Sequence, residues 1–465
     1  MTRPMLWTSA EIAAATGAQI GGSWEAKGVS IDTRTIEPGD LFIALMGEAR
    51  DGHEFAAEAV AKGAAGVLAM RAVPGVPKEL LALVGDSFAG LEALGRAARA
   101  RSLARIAAVT GSVGKTSTKE ALRQALSRQG ETHAAVASYN NHFGVPLTLA
   151  RMPRTSRFGV FEIGMNHAGE ITPLSVLTRP HAAIVTTVEP VHLEHFANVE
   201  AIGDAKGEIF AGLAPQGTAV LNRDNSQYER LRGHAERSAA GHIWSFGTHV
   251  DCEARLLDAG LEPEQTRVTA SFFGERLSFI VGAPGLHLAM NSLGVLLLAK
   301  ALGADAQAAA QSFTAFEALK GRGRQLSVSV PQGSFTVIDE SYNANPASMR
   351  AAIALLGNAP AGEGGRRIAV LGDMLELGRE EAAFHAAIVQ PLRAAGTQLV
   401  FLCGPRMAHL WEALPASMRG AYGQTSADLA PLVAAEARAG DVFMVKGSNS
   451  SRMNVVVEAL ASQTR

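Results

Sequence analysis

The hexapeptide Gly111-Ser112-Val113-Gly114-Lys115-Thr116 carries the residue types that grip a polyphosphate. Glycines let backbone N–H groups turn inward around phosphate oxygens, and a helix opening behind the loop adds the positive end of its dipole. Lys115 is placed to neutralise the terminal phosphates, and the Thr116 hydroxyl to hold Mg²⁺. Two residues separate the glycines, against four in the general Walker A spacing. The same residues could also form a Gly-rich strand-to-helix turn with a surface lysine. The setting decides for nucleotide binding. Ile106-Ala107-Ala108-Val109-Thr110 in front reads as a buried strand, and Leu122 and Leu126 behind it lie four apart, as on one helix face.

Other short apolar runs alternate with helical stretches along the whole chain. Residues 41–45, 67–70 and 81–84 read as strands, with helices over 55–62, ending at Gly63, and over 89–101. Strands follow at 158–163, 183–187 and 218–221, and this alternation implies a mostly parallel sheet covered on both faces. Residues 267–281 alternate as antiparallel strands do, and 286–302 reads as a helix. Beyond Gly321, strands at 337–339, 368–371, 399–402 and 442–445 with intervening helices form a further α/β region. At 465 residues the prior is two to four domains. The expected architecture is α/β in three domains, 1–86, 87–318 and 319–465. The middle one is a P-loop ATPase-like, mostly parallel sheet, and the last is Rossmann-like.

The bulk numbers exclude several classes. A formal net charge of −2 leaves no global basic field for nucleic acid or anionic lipid, so phosphate recognition must be local. Cys252 and Cys403 lie far apart, in neither a disulfide framework nor a zinc spacing. The N-terminus lacks the basic start and apolar core of a signal peptide, and no run of about eighteen apolar residues occurs. A cytoplasmic chain, without stable membrane insertion and without nucleic acid as partner, is expected.

The short loop, with Thr110 before it and Ser117 after it, resembles that of the Mur ligase superfamily. Further segments are similar to its D-alanyl-D-alanine-adding branch. They include Asn140-Asn141-His142-Phe143-Gly144-Val145-Pro146-Leu147, Glu162-Ile163-Gly164-Met165-Asn166-His167-Ala168-Gly169-Glu170, Val191-His192-Leu193-Glu194 and Ala205-Lys206-Gly207-Glu208. Gly285-Leu286-His287 with Asn291, Ser341-Tyr342-Asn343-Ala344-Asn345-Pro346, Leu371-Gly372-Asp373-Met374 and Val445-Lys446-Gly447-Ser448 continue the series in the family's order. Near the start, Ser30-Ile31-Asp32-Thr33-Arg34 and Asp51-Gly52-His53 look like the family's UDP-binding domain.

The resemblance implies an ATP-dependent ligase acting through an acyl phosphate. It would join D-alanyl-D-alanine to UDP-N-acetylmuramoyl-tripeptide for peptidoglycan precursor synthesis, as a monomer. Residues 1–86 would hold the UDP end through Ser30, Asp32, Thr33, Arg34, Asp51 and His53; Arg34 offers a planar donor fork suited to a diphosphate. Glu162 and His192 would bind two Mg²⁺ ions together with Thr116 and a carbamylated Lys206, since an ammonium cannot ligate a metal. Taken alone, Lys206 reads as a helical lysine paired with Glu208. Asn291 would read adenine, and Arg324, with Arg322 as close competitor, would reach the γ-phosphate. Tyr342, Asn343 and Asn345 would close over the nucleotide, and Ser117 would join the phosphate loop. Asn140, Asn141, Asp373, Lys446 and Ser448 would face the substrates.

Two rivals stand beside this reading. The tripeptide-forming ligase is disfavoured because its Asp-Asn-Pro-Arg motif is absent, and a GTPase switch because no Asn-Lys-x-Asp motif occurs. Whether the tripeptide ends in lysine or diaminopimelate is left open.

Overall fold

The computed structural model describes residues 3–47, 50–136, 138–191 and 193–463. Among the described residues three α/β units follow one another. The first is built on the strands Gly28–Ser30, Asp40–Ile43, Gly66–Ala69 and Leu81–Leu83, mutually parallel, with Gln19–Ile20 antiparallel at the edge. The helix expected over 55–62 is Ala56–Ala61, led in by a 3₁₀ turn, Gly52–Phe55. Asp51 starts the turn by accepting from the His53 N–H.

The middle unit is a sheet ordered Glu275–Val281, Thr266–Phe272, Ala254–Leu261, Ala240–Gly247, Gly217–Asn222, Ala182–Val185, Arg105–Thr110, Phe158–Glu162, Thr132–Ala134. It is parallel except for the two pairings made by Thr266–Phe272, where alternation in the sequence signals antiparallel strands. The strands Arg105–Thr110, Phe158–Glu162 and Ala182–Val185 are continuous apolar runs because both faces are covered. On one face lie Leu122 and Leu126 of the helix Lys115–Ser127 with Leu293 and Leu297 of Leu286–Ala301. On the other lie Val145, Leu149 and Ile202. Neighbouring parallel strands bring Thr110, Glu162 and Val185 out at one edge of the sheet, where such folds bind ligands.

The third unit orders its strands Arg324–Val330, Gly333–Glu340, Val442–Lys446, Arg367–Gly372, Leu399–Cys403, Arg419–Gly423, parallel apart from the first pair.

The seams differ in kind. Trp7, Leu91, Leu94 and Ala98 share one core with Leu147 and Ala150 of the middle unit. The Trp7 indole N–H donates to the Ala150 carbonyl at 2.8 Å, and Arg151 Nε donates to the Val29 carbonyl at 2.6 Å. A large aromatic buried across that seam contributes about 3 kcal/mol, so the first two units are fixed together. The third unit keeps its own cores. Its hydrogen bonds to the middle unit are polar and peripheral: the Tyr342 hydroxyl to Ser138 Oγ at 3.0 Å, Gln325 Nε2 to the Pro263 carbonyl at 3.0 Å, and the Glu194 N–H to the Glu376 carbonyl at 3.3 Å. The chain enters it through Gly321 and Gly323, at φ 75° and 96°, a left-handed path that suits glycine. Such a seam can hinge. No helix among the described residues is long and apolar enough to cross a membrane.

Candidate active site

The phosphate loop is held open by its neighbours before any ligand arrives. Gly111 has φ 146°, and a Cβ there would fall 1.9 Å from the Thr186 hydroxyl oxygen. Gly114, at φ 87°, begins the helix Lys115–Ser127, and its missing Cβ leaves room for the Asn291 amide, which a Cβ would approach to 2.6 Å. The Thr186 hydroxyl donates to the Val113 carbonyl at 2.6 Å. Ser112 Oγ accepts from the Glu189 N–H at 2.9 Å and the Ser112 N–H donates to the Thr187 carbonyl at 2.8 Å. Lys115 Nζ donates to the Gly111 carbonyl at 2.6 Å, a bond that incoming phosphate oxygens would replace. Burial pushes the Lys115 ammonium below its usual range, opposed by Glu162 and assisted by Arg322. A local positive field therefore stands where triphosphate charge would sit.

A cleft of about 280 Å³ gathers the loop from Ser112 to Ser117 with Asn140, Glu162, His287, Arg322, Tyr342 and Lys446. Glu162 is buried at its strand end; Oε1 accepts from the Asn140 side chain at 2.8 Å, while Oε2 is buried with no hydrogen-bond partner among the described residues. That orphaned oxygen, with the Thr116 hydroxyl on the same wall, suits a hard cation. No group of three or more His, Cys, Asp or Glu is poised for a metal among the described residues. Glu162 and Thr116 offer oxygen donors, the kind Mg²⁺ prefers, and phosphates and water would complete its shell. His192 lies outside the described residues.

Lys206 is buried on the helix Val199–Gly207 and pairs with no carboxylate among the described residues. Its pairing with Glu208 does not form. Glu208 instead accepts from the Gly169, Ile171 and Thr172 N–H groups at the start of the helix Ile171–Thr178. Burial first, and the Lys115 charge second, hold the Lys206 ammonium well below the ordinary lysine range.

From the third unit, Arg322 lines the cleft, its guanidinium stacked 4.0 Å from the Tyr342 ring centroid. Arg324, which the resemblance put at the γ-phosphate, does not line it. It is exposed at the start of Arg324–Val330, in antiparallel register with Asp339. Tyr342, Asn343 and Asn345 all line the cleft. Asn345 also caps the helix Pro346–Asn358 by accepting from the Ser348 N–H. Lys446 is buried and donates to Glu340 Oε2 at 3.1 Å and to the Asn343 carbonyl at 2.9 Å. Ser138 and Glu340 belong to this site and stood in no motif; Ser138 is marked only by its bond to Tyr342.

The other expected residues divide. Ser30 spends its hydroxyl on the Asp32 backbone, whereas Arg34 reaches into solvent, its side chain 86% exposed and held by Asp32 at 2.6 Å. Thr33 is buried and its carbonyl accepts from Lys62. His53 is corrected to a structural role. Its Nε2 accepts from the Met70 N–H at 2.9 Å and its Nδ1 meets Asp51 Oδ1 at 2.6 Å, so neither ring nitrogen remains for a ligand. Asp51 also binds Arg71, and these partners hold its carboxyl well below the usual range. Asn141 caps a turn by accepting from the Gly144 N–H. Asp373 and Ser448 do not line the phosphate cleft; both are buried at strand ends, where the Ser448 N–H donates to the Asp373 carbonyl. Asn291 lies behind Gly114, outside the cleft lining.

Three family models match along the chain. They are "Mur ligase family, catalytic domain" at residues 25–106, "Mur ligase middle domain" at 109–299 and "Mur ligase, glutamate ligase domain" at 323–449. The UDP-N-acetylmuramoyl-tripeptide--D-alanyl-D-alanine ligase of Rickettsia prowazekii is 31% identical over 98% of this chain and 99% of its own length. The enzyme of the same name from Escherichia coli is 34% identical over 93% of each. A crystal structure of MurF from Acinetobacter baumannii superposes with a TM-score of 0.86 at 28% identity, covering 99% of this chain and all of that one. By its domain matches and these full-length relatives, the chain belongs to the Mur ligase family.

Proposed function

We propose that this chain joins D-alanyl-D-alanine to UDP-N-acetylmuramoyl-tripeptide, converting ATP to ADP and phosphate, in peptidoglycan precursor synthesis. The observation that carries the reading is the preformed phosphate loop facing a buried carboxylate, Glu162, whose second oxygen has no hydrogen-bond partner among the described residues. A carboxylate at neutral pH is a poor electrophile. Transfer of the γ-phosphoryl group to the tripeptide carboxylate releases ADP and gives an acyl phosphate. The dipeptide amine then attacks the acyl carbon, phosphate leaves, and the amine loses a proton. Mg²⁺, when bound, offsets the repulsion between the tripeptide carboxylate and the triphosphate.

In this scheme Lys115 and Arg322 hold the terminal phosphates, and Thr116 and Glu162 supply oxygens to the cation. Lys206 reacts as a free amine with CO₂, forming an N–C bond and losing a proton, so that a carbamate anion replaces a buried ammonium. Its depressed ammonium pKa and burial with no carboxylate partner among the described residues support this. Residues 1–86 take the UDP end with Arg34 exposed toward it, 87–318 take the nucleotide, and 319–465 close over both. Hydroxylamine should replace the dipeptide and give a hydroxamate of the UDP-tripeptide with ADP released. Absence of hydroxamate under conditions that support ligation would rule out the acyl phosphate.

A further inference from the structure

The edge of the middle sheet remote from the phosphate loop is basic. Helices that lead into its strands end on an arginine or are capped by one: Arg101, Arg128, Arg151, Arg179 and Arg237. A cation there offsets the negative end of each helix dipole. The dipoles account for neither Arg105 nor Arg157, which stand at the start of the paired strands Arg105–Thr110 and Phe158–Glu162. Arg105 donates to the Ala301 carbonyl at 3.3 Å and Arg157 to the Gln129 carbonyl at 2.7 Å. Both are exposed, as is Arg179, and the three join no ion pair among the described residues. Two carboxylates share this end. Asp305 caps the helix Ala306–Ser312, and Glu131 precedes the strand Thr132–Ala134. The positive field is felt by His181, which burial first, and then Arg105, Arg99 and Arg179, push down to about 4.

Leu103 projects from this edge, in the loop between Arg101 and Arg105, and is 95% exposed. The loop is held firmly. Ser102 Oγ accepts from the Ala104 N–H at 3.1 Å, and both residues are buried. Buried Arg99 donates to the Thr178 and Arg179 carbonyls at 2.7 and 2.9 Å, pinning the end of the helix Ile171–Thr178 close to the loop. A lone exposed leucine would mean little. One held out on a fixed loop among cations is a different feature. The geometry points to a peripheral docking surface for an anionic lipid bilayer, with Arg105, Arg157 and Arg179 at the headgroup phosphates and Leu103 dipping below them. A net charge of −2 gives the whole chain no such attraction, so this edge carries it locally and orients the protein. A soluble polyanion would use the cations and leave Leu103 in water, whereas a bilayer uses both. The phosphate loop follows the far end of the strand Arg105–Thr110, about 16 Å away, so an adsorbed chain keeps its cleft open to solution.

The test sediments the purified full chain with vesicles of phosphatidylcholine alone or of phosphatidylcholine with phosphatidylglycerol. Wild type should partition onto the anionic vesicles, leave the neutral ones, and be released as salt rises. Arg105→Gln and Arg157→Gln should each lower that partition roughly fivefold, the scale of one basic residue near a charged membrane surface. Leu103→Ser should lower it by about fivefold as well, while keeping the salt dependence. All three side chains are exposed and far from the cleft, so the variants should melt and release ADP as wild type does. A wild type that does not sediment with anionic vesicles, or that binds both compositions equally, overturns the inference. So does a Leu103→Ser variant that binds anionic vesicles as wild type does. Retention on heparin that the arginine variants lose and Leu103→Ser keeps, without vesicle binding, would assign the edge to a soluble polyanion and overturn the lipid surface.

Discussion

The Asn140 side chain donates to one oxygen of Glu162 at 2.8 Å and leaves the other buried with no hydrogen-bond partner among the described residues. An unsatisfied buried acceptor costs about 1–3 kcal/mol, a cost that the proposed cation would offset. Glu162→Gln should therefore leave thermal stability unchanged or slightly higher while lowering turnover roughly 100-fold or more. A melting curve and an ADP-release assay on the same sample check both halves. A variant that melts early and keeps its turnover would assign Glu162 to structure alone.

The two arginines after the interdomain glycines give a sharp contrast. Arg322 lies over Tyr342 in the cleft, and Arg324 points outward from the next strand. Arg322→Ala should lower kcat/KM for ATP by roughly 10- to 100-fold, and Arg324→Ala by less than about twofold. The reverse order would mean that the resting arrangement is rebuilt when substrates bind.

This contrast also shows where the sequence stops being legible. The phosphate loop could be read because its spacing, strand and helix are local, and Gly63 and the 267–281 alternation mark a helix end and antiparallel pairing by local chemistry. Arg322 and Arg324 would share a face of one continuous strand, but the strand begins only at Arg324 and the left-handed backbone at Gly323 (φ 96°) sends the two apart, which the spacing alone does not encode. His53 looks like a ligand residue until Met70, seventeen positions on, donates to it. Glu208 sits two residues from Lys206, yet three backbone N–H groups near residue 170 claim it. The tie between Ser138 and Tyr342 spans 204 positions and belongs to domain arrangement.

Lys206 tests the carbamate. Lys206→Ala should lose nearly all activity, with small carboxylates restoring a part. Carbon-13 bicarbonate should give wild type a carbamate resonance that the variant lacks. The resonance should fade on acidification, because protonation of the amine removes the nucleophile, and burial sets that loss below the ordinary lysine range. A fully active wild type with no such resonance would refute the modification.

His181 should make stability pH-dependent. Its Nδ1 accepts from the Ile106 N–H at 2.9 Å, and burial, with Arg105, Arg99 and Arg179 nearby, lowers its pKa to about 4. The unfolded chain binds that proton first, near the usual histidine value of about 6.5. Stability from this group is thus complete above about pH 6.5 and is lost as pH falls toward 4. Urea midpoints should drop across that window, and less steeply in His181→Gln, which keeps an acceptor but cannot titrate.

The central claim is ligation itself, and one mixing experiment addresses it. With ATP, Mg²⁺, UDP-N-acetylmuramoyl-tripeptide and D-alanyl-D-alanine together, the account predicts UDP-muramoyl-pentapeptide and ADP in a one-to-one ratio, with little ADP when either co-substrate is left out. ADP release at the same rate without them, or AMP as the stoichiometric product, would contradict it.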